Sequence, residues 1–166
     1  MPLPDRPVAN TTIDSEWGQA VHDWTFAPKG AELTTVTTTT VSTTPGGVHL
    51  DVATDDPAGF LDAVNDRVVV PTGGDGLYHI ILKLDSVSGT AGDYTRAYLY
   101  LNGTAYASAI EENAGGVHIA VTVPALIPLT AGDILRVYAQ LRGSGTHPTV
   151  KTESLRFIRV GNEYGA

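Results

Sequence analysis

Apolar and polar residues alternate along most of the chain from residue 47 onward. Four segments show the pattern most clearly, and their apolar sets, taken at every second position, are Tyr78 to Leu84, Ala97 to Leu101, Val117 to Val123 and Leu135 to Leu141. His79 and Lys83 fall on the opposite side of the first set. Such period-two alternation is typical of strands that bury one face and expose the other.

Turn motifs separate these segments at short intervals. Glycine-rich motifs occur at residues 73–76, 89–93, 115–116, 131–133 and 143–145. Asn102-Gly103 is the sharpest motif, because both residues tolerate the positive φ of a tight hairpin. We therefore predict a hairpin that pairs residues 95–101 with 104–110. With about eight such strands and no helical pattern after residue 64, the sequence predicts an all-β fold, an antiparallel jelly-roll sandwich.

Residues 31–46 are rich in threonine and are compatible with either a first strand or an extended linker. Threonine is β-branched, and Leu33, Val36 and Val41 interrupt the run, so we favour a strand near 33–43 that ends before Pro45. The predicted domain organisation is an N-terminal anchoring arm over residues 1–30, this threonine-rich stretch over 31–46, and a jelly-roll domain over 47–166.

The arm contains a segment, residues 12–30, that predicts a short amphipathic helix. Thr11 or Thr12 can cap its start, acidic residues follow in the first turn, and Pro28 and Gly30 end it. Its apolar side chains, together with the adjoining phenylalanine, form the predicted anchoring or oligomer interface, which consists of Ile13, Trp17, Val21, Trp24 and Phe26.

A helix of about twelve residues is marginal alone and needs a docking surface. That surface is either the chain's own jelly roll or a partner, against which tryptophan is a favoured anchor. We favour a partner, because three prolines precede the segment and the threonine-rich stretch follows it, so the arm is expected to project.

Charge and composition exclude several classes of partner. The chain has 166 residues and a net charge of −8, and its ten basic residues are scattered singly, so we expect no nucleic-acid partner. The most apolar segment, residues 120–129, is too short to span a bilayer and contains two prolines, so we expect no membrane insertion. The absence of cysteine excludes disulfides and thiolate metal sites.

No catalytic motif emerges from the sequence, and we expect neither an enzyme nor a cofactor. There is no Gly-x-Ser-x-Gly elbow, phosphate loop or His-Glu-x-x-His pair. We predict no metal site, because the five histidines are widely separated, although His79 and His118 lie on strand faces that copies in a trimer could bring together around an ion.

Three tyrosines are candidates for surface binding. Tyr98 and Tyr100 point to the same side of their strand, and Tyr138 is expected to join them. A row of exposed aromatic residues is the feature that would identify a carbohydrate-binding module, but tyrosines facing each other across a trimer axis would give the same pattern.

Three segments together resemble the trimeric jelly roll of the tumour-necrosis-factor and complement-globular-head superfamily. Pro71 followed by Gly76-Leu77-Tyr78 is similar to the family's proline and glycine-x-tyrosine signature. Residues 129–137, which contain Gly132-Asp133, are similar to its leucine, glycine-aspartate and strand segment, and the Asn102-Gly103 hairpin lies between the two. The resemblance covers residues 67–141 and implies a homotrimer, but it implies nothing about a ligand.

The opening LPDRPVANTTIDSEWGQAVHDWTFAP resembles that of structural proteins of actinobacterial bacteriophages, often described as minor tail proteins. This implies a minor tail or fibre-type virion protein, made in the host cytoplasm, that is attached through its arm to other phage tail or capsid proteins. The jelly roll would then be displayed toward the host, with a cell-surface glycan as a candidate ligand. The alternatives are a capsid decoration protein and a soluble carbohydrate-binding module.

Overall fold

The computed structural model describes residues 30–87, 92–113, 118–142 and 149–161. The predicted arm helix and its interface residues Ile13, Trp17, Val21, Trp24 and Phe26 lie outside these ranges. The described residues form the following strands: β1 Gly30–Thr34, β2 Thr39–Thr40, β3 Gly46–Gly47, β4 Val52–Asp55, β5 Leu61–Asp62, β6 Arg67–Val69, β7 Gly76–Val87, β8 Tyr94–Leu101, β9 Thr104–Glu112, β10 His118–Leu129, β11 Ile134–Arg142 and β12 Thr149–Gly161.

These strands form two antiparallel sheets. The first sheet has the order β10-β7-β12-β1-β4, with the short β2 also pairing with β12. The second sheet has the order β5-β6-β11-β8-β9, with β3 also pairing with β11. The predicted fold class, an all-β antiparallel jelly-roll sandwich, is confirmed. One short 3-10 turn, Ala63–Asn65, occurs within the described residues, and no helix among them could cross a membrane.

The core lies between the sheets and is built from the inward-facing positions of the long strands. Its aromatic centre is Phe60, Tyr78 and Phe157, with ring centroids 4.8–6.2 Å apart. The buried Tyr78 hydroxyl donates a hydrogen bond to the Gly74 carbonyl at 2.7 Å. Burial raises the pKa of this phenol, because the low-dielectric core disfavours the phenolate.

The predicted alternation is confirmed where the structure describes it. Tyr78, Ile80, Leu82 and Leu84 are fully buried, whereas His79 and Lys83 are exposed. The predicted hairpin is also confirmed, since β8 pairs with β9 across Asn102-Gly103, whose φ angles are 50° and 84°.

The threonine-rich stretch departs from the single strand predicted near 33–43. The strand β1 already ends at Thr34, and only Thr39–Thr40 resumes pairing. The break arises because the Asp51 carboxylate accepts hydrogen bonds from the Val36 amide at 3.1 Å and the Thr37 hydroxyl at 2.7 Å, which turns the backbone away from the sheet. Since β1, β2 and β3 all pair with β11 or β12, this stretch belongs to the sandwich and is not a linker.

Candidate interaction surfaces

The outer face of the first sheet is divided into a polar half and an apolar half. The strands β7, β10 and β12 run side by side over their full lengths, so their outward-facing residues form rows across the sheet. In the polar half, Asp85 lies opposite Ala120 and Lys151, and Lys83 lies opposite Thr122 and Ser154. His118 is also in this half, with Nδ1 3.2 Å from an Asp85 carboxylate oxygen.

The apolar half surrounds His79. Leu126 of β10 and Ile158 of β12 lie directly opposite His79 on its two neighbouring strands, and they are 50% and 48% exposed. The next rows on either side place Pro124 opposite Ile81 and Pro128 opposite Leu77. We call this set the apolar half: Leu77, Ile81, Pro124, Leu126, Pro128 and Ile158.

The edge of the sandwich extends this apolar surface. Tyr106 lies in the edge strand β9 where the register with β8 shifts, and its hydroxyl donates a 3.4 Å hydrogen bond to the Leu126 carbonyl on β10. Tyr106 is 49% exposed, so the exposed surface of large side chains continues from the sheet face onto the β9–β10 edge. Val160, which is 55% exposed, lies instead at the irregular end of β12, near the row of Leu77.

One charge beside the apolar half is compensated by an ion pair. Arg156 lies opposite Ile81, and its guanidinium contacts the Glu32 carboxylate at 2.6 Å on the adjacent strand β1. Soluble proteins rarely leave contiguous apolar side chains exposed without a partner, so this surface has the properties of a protein interaction site. His79 and His118 lie in different halves, and the described residues contain no group of three or more potential metal-binding side chains.

The predicted tyrosine set meets on the outer face of the second sheet. Tyr98 of β8 lies opposite Tyr138 of β11. The Tyr100 ring contacts both, with its centroid 6.1 Å from that of Tyr98 and 4.3 Å from that of Tyr138. Tyr98 is buried, however, and Tyr100 and Tyr138 are only partly exposed.

Two hydrogen bonds and one cation–π contact hold Tyr98 in place. Its hydroxyl donates to the Gln140 side-chain oxygen at 2.6 Å, and the Gln140 amide donates to the Thr43 carbonyl at 2.6 Å. The Arg96 guanidinium lies 4.9 Å from the centroid of the Tyr98 ring and also donates to the Ser108 hydroxyl at 3.1 Å. Tyr98 is thus fixed beside Tyr100, whose ring in turn contacts that of Tyr138.

The tyrosine set could be predicted from the sequence, but the apolar half was not predicted. The signal was present, because outward positions of three adjacent strands carry Ile81, Leu126 and Ile158 where a solvated face would carry polar residues. Recognising it requires knowing that β7 lies between β10 and β12, and strand order cannot be obtained from alternation alone.

Comparisons with known proteins identify the fold. No protein-family model matches the sequence, and a search of curated proteins finds no match. Among solved structures, the globular domain of zebrafish complement 1qA protein is similar with a TM-score of 0.61 and 12% identity, over 81% of this chain and 99% of that one. Murine APRIL at pH 5.0 is similar with a TM-score of 0.56 and 16% identity, over 80% of this chain and 99% of that one. The described part of the chain therefore has the jelly-roll fold that these two structures share.

Proposed function

We propose that this chain is a non-enzymatic structural protein whose jelly roll associates with further copies of itself through the apolar half. The observation that supports this proposal is the row Leu126, His79 and Ile158, in which the two apolar side chains are about half-exposed. A second copy is the occupant, because one chain supplies two apolar surfaces that can face each other. These are the flat apolar half itself and the adjoining edge that carries Tyr106.

We propose a closed ring of three copies. A contact between the edge of one copy and the apolar half of the next joins different surfaces, and such contacts close into a ring when the rotation between copies permits. Proteins of the complement-1q and tumour-necrosis-factor type are typically trimeric, which supports the number three. The Arg156–Glu32 pair lets the surfaces approach without an uncompensated charge at this position.

Exchanging one residue of the apolar half tests the assembly. Leu126→Glu places a carboxylate at the centre of the contact, so the protein is expected to sediment as a monomer with an unchanged far-ultraviolet circular dichroism spectrum. Thr122→Glu is the matched control, since Thr122 is exposed on the same face of the same strand but lies in the polar half. Equal assembly of both variants and the unmodified protein would contradict the proposal.

We further propose that the assembly is a bacteriophage virion component of minor tail or fibre type. The support is the resemblance of the opening segment, with Trp17 and Trp24, to phage structural proteins. The arm would attach the ring to other tail proteins, and the second sheet would remain free to face the host. The head decoration protein is the second candidate, because an anchoring arm needs only a matching groove on the particle.

Antibody labelling of purified virions distinguishes a tail location from a head location. Antibodies against the jelly roll are expected to label the tail of virions that carry this chain. Labelling of the head would favour the decoration protein, and particles without the chain would contradict both. The double variant Trp17→Ser with Trp24→Ser is expected to form the ring but to be absent from particles, because it removes the anchor and leaves the apolar half intact.

A further inference from the structure

The outer face of the second sheet carries a rigid aromatic ridge. The Tyr100 and Tyr138 rings are inclined at only 30° to each other, with centroids 4.3 Å apart. The buried Tyr98 ring lies beside them and is fixed through Gln140 to the Thr43 carbonyl. The Tyr100 and Tyr138 rings are therefore stacked on each other, and each keeps only its outer face free. A partly exposed ring that is held in one position can stack on a flat apolar surface with little loss of side-chain entropy.

Arginine flanks the ridge on two sides. Arg136 lies opposite Tyr100 on β11 and two residues before Tyr138, while Arg96 lies over Tyr98. Among the described residues, no carboxylate forms an ion pair with either guanidinium, although acidic residues outnumber basic ones by 18 to 10 along the chain. The positive charge of Arg136 and the N–H donors of its guanidinium are therefore available to bind an external acidic group.

The surroundings of the ridge are open. Gly47 of β3 lies opposite Tyr138 on the side away from β8, and a Cβ atom added there would meet nothing within 4 Å. On the far side of β8, Ser108 lies opposite Tyr98 and Ala105 lies opposite Tyr100. These small residues leave lateral access to the ridge for a ring-shaped ligand.

We propose that this ridge binds carboxylated sugars. The apolar face of a pyranose ring stacks on the face of Tyr138 that is turned away from Tyr100, and its carboxylate accepts paired hydrogen bonds from the Arg136 guanidinium. A neutral sugar can make the same stacking contact, but it has no carboxylate to accept hydrogen bonds from Arg136. The inference extends beyond the proposed self-association and does not depend on it, because the ridge and the apolar half lie on opposite sheets.

Titration calorimetry with trigalacturonic acid tests the proposal, with neutral galactotriose as the matched probe. Saturable binding of one trisaccharide per chain is expected, at least about ten-fold tighter for the acidic sugar, since one charge-assisted hydrogen bond contributes roughly that factor. Arg136→Gln should abolish the preference for the acidic sugar, and Tyr138→Ala should abolish binding of both. Lys151→Gln removes the same charge from an exposed position on the other sheet and should change nothing.

Three results would overturn the proposal. The first is no saturable binding of trigalacturonic acid by the unmodified protein. The second is equal affinity for the acidic and neutral sugars. The third is an equal loss of affinity in Arg136→Gln and Lys151→Gln, which would show attraction by overall charge. If the Leu126→Glu variant binds trigalacturonic acid with the same affinity and the same number of sites per chain, the ridge acts independently of self-association. Loss of binding in that variant would contradict this independence.

Discussion

Asn102 and Asp133 join the tip of the β8–β9 hairpin to the loop before β11, 31 positions away in the sequence. The Asn102 side-chain amide donates to the Asp133 carboxylate at 2.8 Å, and its carbonyl accepts from the Ile134 amide at 2.9 Å. The other carboxylate oxygen of Asp133 accepts from the backbone amide and hydroxyl of Thr130. Asn102 therefore has two roles, since it also adopts the positive φ that the turn requires.

Asn102→Gly separates these two roles. Glycine preserves the positive φ and removes both side-chain hydrogen bonds, so a loss of about 1–2 kcal/mol in the free energy of unfolding is expected. Asn102→Ala should lose more, because it adds backbone strain to the same loss. Urea unfolding of both variants measures the difference. Equal stability of the glycine variant and the unmodified protein would show that the link to Asp133 contributes nothing.

At Gly30 the backbone of β1 leaves no room for a side chain against β12. Its φ is 135°, and a Cβ atom there would lie 1.8 Å from the Phe157 carbonyl oxygen. Gly30→Ala is expected to lower the free energy of unfolding by about 3 kcal/mol or more, because the backbone of two strands must separate. Gly46→Ala is the control, since nothing lies within 4 Å of its added Cβ atom. Equal thermal stability of the two variants would contradict the close approach of β1 and β12.

Acid is expected to destabilise the fold through three aspartates. Burial by itself would raise the pKa of Asp133, but the hydrogen bonds from Asn102 and Thr130 outweigh it and lower the pKa below its ordinary value of 3.8. The pKa of Asp51 is lowered in the same way, and that of Asp62 by the donors of Asn65 and Arg67.

Because these folded-state pKa values are lowered, the unfolded chain takes up protons at higher pH than the folded chain. The stabilisation is therefore present above about pH 4 and is lost as pH falls through the lower folded values. Urea unfolding at pH 7 and pH 3 is expected to show this loss. Asp133→Asn should start less stable at pH 7 and change less between the two values. An identical change in that variant would exclude Asp133 as a contributor.

His79 lies at the centre of the apolar half, so its replacement reports on what covers this surface. His79→Leu removes polar atoms between Leu126 and Ile158 and is expected to strengthen self-association. His79→Lys introduces a permanent charge that an apolar interface would have to desolvate, so it should weaken the assembly about ten-fold or more. Sedimentation at several concentrations measures both. Unchanged association in the lysine variant would mean that this face stays in water.

The sequence predicted the fold well because its signals are local. The buried set from Tyr78 to Leu84 could be identified from alternation, and the β8–β9 hairpin could be identified from Asn102-Gly103. The break after Thr34 could not be predicted, because it depends on the Asp51 carboxylate, which accepts hydrogen bonds from Val36 and Thr37 earlier in the chain.

The interaction surfaces were only partly predictable for a related reason. Tyr98 and Tyr100 share one strand, so their common direction follows from period two, and Tyr138 joins them through the β8–β11 pairing. The apolar half combines residues from β7, β10 and β12, which are far apart in sequence. The alternation rule also concealed Ile81, since its neighbours His79 and Lys83 made that face look solvated.

Self-association through the apolar half is the central claim, and the solution mass of the unmodified protein tests it most directly. Light scattering over a hundred-fold range of concentration is expected to give the mass of three chains, about three times the chain mass of 17.4 kDa. A single-chain mass throughout that range would contradict the claim and would leave the row Leu126, His79 and Ile158 available to another partner.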